Sequence, residues 1–417
     1  MEDFVKKNKV AIGVAASALV ALGVYKYAWN SKANPSNSEV DGRGFVLDPK
    51  FKESVALYKD EAVRRKKIIS EVSYDLILAL RKGKTFDGQV TITFDVYDTE
   101  FGEEDLFVDY QGLGIKDLIL NGKPVDEKLV FNGQRITLPR SLLNLGETNT
   151  LNVTFKSTYK NDGTSSHHFK DPEDGNEYVY TQFEAFHAHR TFPCFDQPDL
   201  RAVLKLMTLA PKEWIVISNG LEQGAISKGT PGYKEGLTRV KEDIVSEYTE
   251  EFHIQNYNDS PKIAPYLYAI IAGPFDHIDR EEKVPGRSEP IKMRLYFRKT
   301  LRKDAERVQH LMFDPAIKGI HWYSEFFGYD YPYEKYDQIF CPEFKFGAME
   351  NVGCVTFTEN LMFRGKEISE KDSTVLTNVV LHELCHHWFG DLVTMTWWND
   401  LWLNESFATY VSFLCMS

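Results

Sequence analysis

The chain has 417 residues, enough for two or three domains, and its 43% hydrophobic and 26% charged residues are ordinary for a folded globular protein. Its net charge of −12 argues against nucleic-acid binding, which requires concentrated positive charge; the longest basic run, Arg64–Lys67, is interpreted as a solvated helix face. Five cysteines without a CxxC pair indicate neither a disulfide framework nor a thiolate zinc site.

The first predicted element is the uncharged apolar segment Val10–Tyr25, which has lysines on both sides. As a helix rising about 1.5 Å per residue it spans roughly 24 Å, slightly less than the ~30 Å hydrocarbon core of a bilayer. We interpret residues 1–30 as a signal-anchor, which predicts a single-pass membrane protein. A cleaved signal peptide is the alternative and would leave the protein secreted or soluble.

Residues 31–62 are predicted to form a tether and a short helix, because Ser31–Ser38 is rich in Pro, Asn and Ser, and helical spacing begins at Phe51. Over residues 63–275 the hydrophobic period changes to two, which predicts a mostly antiparallel β domain. The predicted strands are Val72–Leu80, Val90–Val96, Ile115–Leu120, Leu151–Phe155, Val203–Leu209, Ile215–Ser218 and Tyr266–Ala272.

Residues 276–417 have an α/β pattern that begins with a strand at Ile291–Phe297. Helical spacing follows from Leu301, and Pro315 is expected to kink or split that helix because proline lacks a backbone donor. The remaining predicted helices are Ile317–Phe327, Thr374–Phe389, which Gly390 stops, and Leu403–Leu414.

The stretch HELCHH contains the HExxH pattern at His382, Glu383 and His386. Residues four apart lie on one face of a helix, so the two histidines can hold one metal ion. Glu383 then projects beside the ion, where a carboxylate can take a proton from water. A hydrolytic zinc needs a third protein ligand, and Glu405, nineteen positions after His386, completes a His2Glu set.

The neighbouring polar residues are interpreted as structural. His387 points about 100° away from His386 around the helix and is expected to be a packed core histidine. Cys385 is expected to be a small buried hydrophobe. Asp391 and Thr394, in the loop between the ligands, are both candidates to orient a ligand, and the sequence does not choose between them.

Three stretches together resemble the M1 family of zinc aminopeptidases. HELCHHWFGDLVTMTWWNDLWLNESFA (382–408) resembles the family's zinc-binding segment, and Gly347–Asn351 is its GAMEN motif, with Cys341–Phe344 before it. TQFEAFHAHRTFPCFDQPDLRA (181–202) resembles the segment that supplies a second carboxylate to the substrate amine. The resemblance covers roughly residues 63–417.

The resemblance implies one Zn²⁺ per chain and a peptide substrate with a free N-terminus. By role, the implied site residues are the zinc ligands His382, His386 and Glu405, the general base Glu383, the amine-binding Glu350 and Glu184, and the substrate-backbone residues Gly347, Ala348, Met349 and Asn351. Two fixed carboxylates that pair with the ammonium measure distance from the chain terminus, so only the first peptide bond reaches the metal.

The implied fold is multidomain: a saddle-like antiparallel β domain, then a thermolysin-like α/β catalytic domain of which residues 276–417 form the first part. The family's oxyanion tyrosine lies further downstream. We therefore expect a fragment of a longer enzyme, with a natural short form as the alternative, and an exposed apolar half-core that favours aggregation.

The predicted function is that of a membrane-anchored zinc metalloaminopeptidase. The alternative is a catalytically impaired, membrane-tethered binding or assembly protein that retains a structural zinc site. A thermolysin-like endopeptidase is a third possibility, which the amine-binding residues disfavour.

Overall fold

The computed structural model describes residues 39–47, 56–97, 105–284 and 287–417. The predicted anchor, with Val10–Tyr25, lies outside the described residues, as does the tether stretch Ser31–Ser38. Within the described residues no helix is both long and apolar enough to span a membrane.

The chain up to residue 273 is built mainly of strands. They are β1 (Glu39–Val40), β2 (Val46–Leu47), β3 (Ile69–Ala79), β4 (Thr85–Val96), β5 (Leu106–Asp109), β6 (Gly114–Leu120), β7 (Lys123–Pro124), β8 (Arg135–Leu138), β9 (Thr148–Thr158), β10 (Ser165–Lys170), β11 (Glu177–Gln182), β12 (Val203–Pro211), β13 (Ile215–Ser218), β14 (Glu222–Ser227), β15 (Phe252–Tyr257) and β16 (Ile270–Gly273). The helices here are α1 (Lys59–Ile68), α2 (Glu127–Val130), α3 (Tyr233–Thr238) and α4 (Glu242–Val245).

These strands form one large sheet and two smaller ones. The large sheet has the order β1-β2-β6-β9-β4-β3-β12-β15-β14, with β7 beside β6. Its pairs are antiparallel except for β3 and β12, which run parallel. A four-stranded sheet has the order β10-β11-β16-β13, and β5 pairs with β8. The prediction of a mostly antiparallel β region is thus confirmed.

The predicted strand at Tyr266–Ala272 is wrong in its first half. Pro265–Leu267 forms a 3-10 turn, and β16 begins only at Ile270. The apolar residues of this turn are buried just as strand residues would be, so the hydrophobic pattern alone does not separate the two.

The remaining chain is an α/β arrangement around a further, five-stranded sheet. Its elements are β17 (Asp276–Glu282), β18 (Ile291–Phe297), α5 (Arg302–Phe327), β19 (Lys335–Cys341), β20 (Ala348–Met349), β21 (Cys354–Thr358), α6 (Glu370–His386) and α7 (Leu401–Met416). The order is β17-β18-β19-β21-β20, and β18, β19 and β21 run parallel, with α5 connecting β18 to β19. Residues 37–417 form one compact unit, so a domain boundary at residue 275 stays a prediction.

The expectation that Pro315 splits a helix is wrong, because α5 runs through it without interruption. Tertiary contacts stabilise the helix there: α5 buries apolar side chains on both sides of Pro315, and Gln338 donates a hydrogen bond of 3.4 Å to the Met312 carbonyl in the turn before the proline. One turn further on, Gly319 lets α5 approach α6 closely, since a Cβ atom there would lie 2.7 Å from Leu381 and from Leu384.

The basic run on α1 is not a wholly solvated face, because Arg65 is buried. Its guanidinium lies 2.7 Å from the buried Asp109 carboxylate and donates a 2.6 Å hydrogen bond to Gln197. Arg64, Lys66 and Lys67 are exposed. A run of four basic residues on a helix must present one member to the side that packs on the sheets, and Asp109 supplies the buried opposite charge there.

Hydrogen bonds and ion pairs of polar side chains connect the β-rich region to the α/β region. Asn219 donates to the Val352 carbonyl (3.0 Å), and Arg201 donates to the carbonyls of Asp391 (3.3 Å) and Leu392 (3.2 Å). Arg298, at the end of β18, pairs with Asp171 and Glu359. These contacts fix the ends of β10, β13 and β18 relative to both ends of β21, and the start of β12 relative to the loop after α6.

The last helix has an exposed apolar face, as expected. Trp402, Phe407, Tyr410 and Phe413 are 44–63% exposed on α7. Aggregation through this face stays a prediction.

We predict that Arg65→Met destabilises the protein by about 3 kcal/mol, because Asp109 would remain buried without its closest cation. Lys67→Met, on the exposed side of the same helix, is the matched control and should change the free energy of unfolding by less than about 0.5 kcal/mol. Urea unfolding followed by circular dichroism measures both. Equal effects of the two substitutions would contradict the structural role of Arg65.

Candidate active site

Helix α6 brings His382 and His386 to one face. The helix begins after Ser369, whose hydroxyl accepts a hydrogen bond from the Asp372 amide (3.1 Å). Four residues separate the histidines, so their Nε2 atoms lie 3.1 Å apart with the ring planes at 81°. Two ring nitrogens this close, pointing into one space, can share a ligand.

Helix α7 supplies the third group. The Glu405 carboxylate lies 3.4 Å from His382 Nε2 and 3.7 Å from His386 Nε2. One ligand atom from each of the three residues lies within 4.8 Å of the others. The structure therefore brings together the three predicted zinc ligands, although they come from two helices.

The outer nitrogens of both histidines are held by other groups. His386 Nδ1 lies 3.1 Å from the Phe389 carbonyl, to which it can only donate, and His382 Nδ1 lies 3.3 Å from the Thr409 hydroxyl. The Phe389 carbonyl makes Nδ1 the protonated nitrogen of His386, so the Nε2 lone pair of His386 is available to a metal. The Thr409 hydroxyl can donate or accept, so it holds the His382 ring without deciding its tautomer.

Neither candidate from the sequence orients the ligands within the described residues. Thr394 donates to the Asp391 carbonyl (3.0 Å), and the Asp391 carboxylate lies 3.7 Å from His387 Nδ1. Sequence reasoning missed Thr409. Its position four residues after Glu405 places it on the same helix face, so helical spacing was a usable signal.

The protonation states of His382, His386 and Glu405 near neutral pH favour binding of a cation. Burial lowers the pKa of His382 and of His386 below the usual histidine value. Burial acts to raise the pKa of Glu405, but the two histidines outweigh it and hold that pKa below its usual range. Near neutral pH the set is two neutral imidazoles and one carboxylate, which is a standard donor set for hydrolytic zinc. The residues present thus fit the metal.

Glu383 is buried beside this set, at 6% exposure. Burial, followed by the charges of Glu350 and Glu405, raises the pKa of Glu383 well above that of an ordinary glutamate. A carboxylate with a raised pKa is a stronger proton acceptor than one in water.

A second acidic group adjoins the first and shares Glu405 with it. Glu184 follows β11 and Glu350 follows β20, and one carboxylate oxygen from each lies within 4.8 Å of the others and of one on Glu405. Burial, then Glu405, raises the pKa of Glu350 to about 8. Burial, then Glu350, raises that of Glu184 well above its usual value.

The acidic pair has unused hydrogen-bonding capacity. The Oε1 atoms of Glu184 and Glu350 are buried and accept no hydrogen bond within the described residues. A buried carboxylate oxygen without a partner destabilises the folded state unless a hydrogen-bond donor or a cation reaches it. A positively charged ligand with N–H donors satisfies both the charges and the lone pairs.

The GAMEN residues form the edge of the five-stranded sheet. Ala348 and Met349 pair with β21 on one side, and their other side is the outermost edge of the sheet. Gly347 is exposed and Ala348 half-buried, whereas Met349 and Asn351 are buried. An extended peptide can add to such an edge through main-chain hydrogen bonds. This edge leads directly into Glu350.

The other residues of HELCHH are packed as predicted. His387 is fully buried, with its ring against those of Tyr331, Tyr333 and Tyr336. Cys385 is also fully buried.

Two protein-family models of one family match this chain. The peptidase M1 N-terminal domain matches residues 70–233, and the peptidase family M1 domain matches residues 311–417. The first match lies in the β-rich region and ends after Glu184; the second contains Glu350, the HExxH helix and Glu405.

Curated relatives agree with the family models. Aminopeptidase N of Streptomyces lividans is 37% identical over 87% of this chain and 38% of its own length. Aminopeptidase M1 of Arabidopsis thaliana is 31% identical over 79% of this chain and 35% of its own length, and human aminopeptidase N is 34% identical over 56% and 22%. The chain thus spans less than two fifths of the length of these relatives. Both domain matches, in the order N-terminal domain and then catalytic domain, show that the chain belongs to peptidase family M1.

Proposed function

We propose that this protein is a zinc-dependent aminopeptidase that hydrolyses the N-terminal peptide bond of peptides. The observation that carries the proposal is the sharing of Glu405 between two sites: the His382–His386–Glu405 set, which fits a metal, and the Glu184–Glu350–Glu405 set, which fits an ammonium. A metal site alone is compatible with many hydrolases. A carboxylate pair beside it selects substrates with a free amine.

The geometry supports cleavage next to the terminus. An α-amine that pairs with Glu350 and Glu184 fixes the end of the substrate, and the carbonyl of the first peptide bond is only a few atoms away. The free edge of β20 at Ala348 offers main-chain groups to the substrate backbone, next to Gly347, whose carbonyl is bonded to the Thr358 amide (3.0 Å). The predicted roles of Met349 and Asn351 are limited to their backbone, because their side chains are buried.

Bound zinc would be held by His382, His386 and Glu405, and would supply Lewis acidity that polarises a carbonyl oxygen and makes water easier to deprotonate. Glu383 accepts the proton from the attacking water and passes it to the leaving amine. The Phe389 carbonyl keeps His386 in the tautomer whose Nε2 is unprotonated, and the Thr409 hydroxyl holds the ring of His382 in place.

Several finer features belong to the same proposal. They are the saddle shape of the β domain, the thermolysin-like character of the α/β part, the boundaries at residues 62 and 275, and single-pass membrane attachment through Val10–Tyr25. The resemblance of residues 63–417 to the family supports the first three. The apolar composition of Val10–Tyr25 supports the last.

The proposal is tested by assaying the 417-residue chain beside any longer product of the same reading frame. We expect one zinc ion per chain, hydrolysis of aminoacyl arylamides, no hydrolysis of the same arylamides with an acetylated amine, and loss of activity on chelation that added zinc restores. Metal content is measured by atomic absorption.

Two results would contradict the proposal in different ways. Cleavage of peptides with blocked amino termini would indicate an endopeptidase. Bound zinc without turnover in either product would favour a non-catalytic binding or assembly protein with a structural zinc site.

We predict that Glu383→Gln lowers kcat by about 10²- to 10⁴-fold, because the amide has the shape of the carboxylate but does not accept a proton. Zinc content should stay at one per chain, since Glu383 is not among the three ligands. Glu370→Gln, at the exposed start of the same helix, is the matched control and should have wild-type kcat. Wild-type turnover in Glu383→Gln would remove the assigned base.

The affinity for a primary alkylamine should fall as the pH is lowered. Burial and Glu405 raise the pKa of Glu350 to about 8, and only the ionised carboxylate pairs with an ammonium. Affinity is therefore present above this pKa and is lost below it; bound zinc moves the midpoint downwards, because a positive ion favours the ionised form. An alkylamine with a pKa near 10 stays protonated throughout, so the carboxylate determines the trend.

The measurement is the inhibition constant of n-butylamine between pH 6 and pH 9, in the wild type and in Glu350→Gln. We expect the variant to bind the amine more weakly at high pH and with little pH dependence. An unchanged pH profile in the variant would exclude Glu350 as the amine partner.

A further inference from the structure

The His387 side chain bridges two parts of the proposed site. Its ring is 0% exposed, and both ring nitrogens have hydrogen-bond partners. The Gly353 amide lies 3.1 Å from Nε2, and Nδ1 lies 3.2 Å from the Glu383 carbonyl. The residue therefore does more than fill space among aromatic rings.

The partners determine which nitrogen carries the proton. The Gly353 N–H is a donor only, so Nε2 accepts from it. The Glu383 carbonyl is an acceptor only, so Nδ1 carries the hydrogen and donates to it. A neutral imidazole in this tautomer is the one form that satisfies both neighbours, and neither phenylalanine nor a protonated ring can replace it.

On one side the bridge completes the end of helix α6. The amide of His387 bonds to the Leu384 carbonyl (3.1 Å), so it does not bond to the carbonyl of Glu383. A helix-terminal carbonyl in the interior requires another donor, and His387 Nδ1 supplies it. The backbone of the proposed base is thereby held in the last turn of the helix.

On the other side the bridge holds the turn that follows Glu350. The Cys354 amide bonds to the Asn351 carbonyl (2.8 Å), and Gly353 has φ = +63°, which favours glycine. The Gly353 carbonyl accepts from the Asp337 amide (3.1 Å) and from the Lys335 ammonium (2.7 Å). With the amide bonded to His387, both backbone groups of this glycine are engaged.

Three tyrosine rings keep the imidazole in this orientation. Tyr331 stacks on it at 5.6 Å between ring centroids, and the rings of Tyr333 and Tyr336 lie at 5.4 and 5.3 Å. The Tyr331 hydroxyl donates to the Lys335 carbonyl (2.9 Å), so this ring is itself anchored.

We propose that His387 is a positioning residue that sets the distance between the amine-binding Glu350 and the general base Glu383. This inference rests on the proposed aminopeptidase function, because it assigns those two glutamates their roles. Glu350 lies three residues before Gly353, and Glu383 is the residue whose carbonyl is bonded. Movement at either end of the bridge changes where the first peptide bond lies relative to the base.

A change of this kind affects the chemical step more than binding. The substrate amine still pairs with the carboxylates, but the scissile carbonyl is displaced from the base and the metal. A misplacement of about 1 Å can lower the rate by roughly 100-fold. The imidazoles of His382 and His386 and the Glu405 carboxylate make no hydrogen bond to the His387 ring, whose partners are Gly353 and Glu383, so zinc binding should persist.

Three substitutions separate the two hydrogen bonds. His387→Phe retains a ring among the tyrosines and removes both bonds. His387→Asn places an amide N–H near the position of Nδ1 and retains the bond to Glu383. His387→Gln places an oxygen near the position of Nε2 and retains the bond to Gly353. Tyr333→Phe is the control, since it removes the hydroxyl from a ring that packs against His387 and leaves the ring and both hydrogen bonds of the bridge in place.

Each zinc-loaded variant is measured in two ways. Hydrogen exchange of the Gly353 amide, followed by fragment mass spectrometry, reports the bridge without any turnover. The kcat and KM for an aminoacyl arylamide report its consequence. We expect exchange at least about tenfold faster in His387→Phe and His387→Asn and near wild type in His387→Gln. We expect kcat in His387→Phe to be about 10- to 100-fold lower, with KM within about threefold and one zinc per chain.

Other results overturn the inference. Wild-type kcat in His387→Phe would show that the distance does not depend on the bridge. Loss of zinc, or an equal fall in kcat in Tyr333→Phe, would indicate a general packing role instead. Unchanged Gly353 exchange in His387→Phe would show that the bridge is not formed. If the wild type binds zinc without turnover, the proposed function fails, and Gly353 exchange still decides whether the bridge exists.

Discussion

Four glutamates and two histidines are confined to one largely buried region, and much of the α/β region is arranged around this concentration of charge. Glu184, Glu350, Glu383 and Glu405 are close enough to affect one another's pKa, and burial removes the water that would screen them. In the absence of a cation such a cluster takes up protons. A metal ion and an ammonium are the two positive groups whose coordination matches its lone pairs.

Keeping these carboxylates together costs electrostatic free energy, and their backbones are fixed by several different elements of the fold. Two helices carry the metal-binding set, the end of β11 carries Glu184, and an edge strand carries Glu350. The polar side chains of Arg201, Asn219 and Arg298 connect the β-rich region to the α/β region, and two of these contacts lie in the turn after Glu350 and in the loop after α6. The buried pair Arg65–Asp109 satisfies the same electrostatic requirement in another way, because there the protein supplies its own cation.

Much of the site was visible as motifs, and much of its support was not. His382, His386 and Glu405 follow from helical spacing and ligand chemistry. Glu184 and Glu350 came only from the family resemblance, because isolated glutamates in a sequence look like surface residues. Thr409 lies one helical turn after Glu405, so helical spacing could have found it. The bridge at His387 depends on which groups meet in space: Gly353 and His387 are 34 residues apart, and no pattern in the chain pairs them.

The sequence by itself determined the strands with clear alternation, the two helices that carry HExxH and Glu405, and the choice of His382, His386 and Glu405 as candidate metal ligands, since each depends on local periodicity or on donor chemistry. Tertiary structure decided the rest. Arg65 is buried although it belongs to a basic run, α5 continues through Pro315, and Pro265–Leu267 forms a turn instead of a strand. Tertiary structure also placed Glu184 beside Glu350 and brought His387 into contact with both the Gly353 amide and the Glu383 carbonyl. These outcomes follow from contacts between distant segments, whose energies outweigh local propensity and leave no periodic trace in the chain.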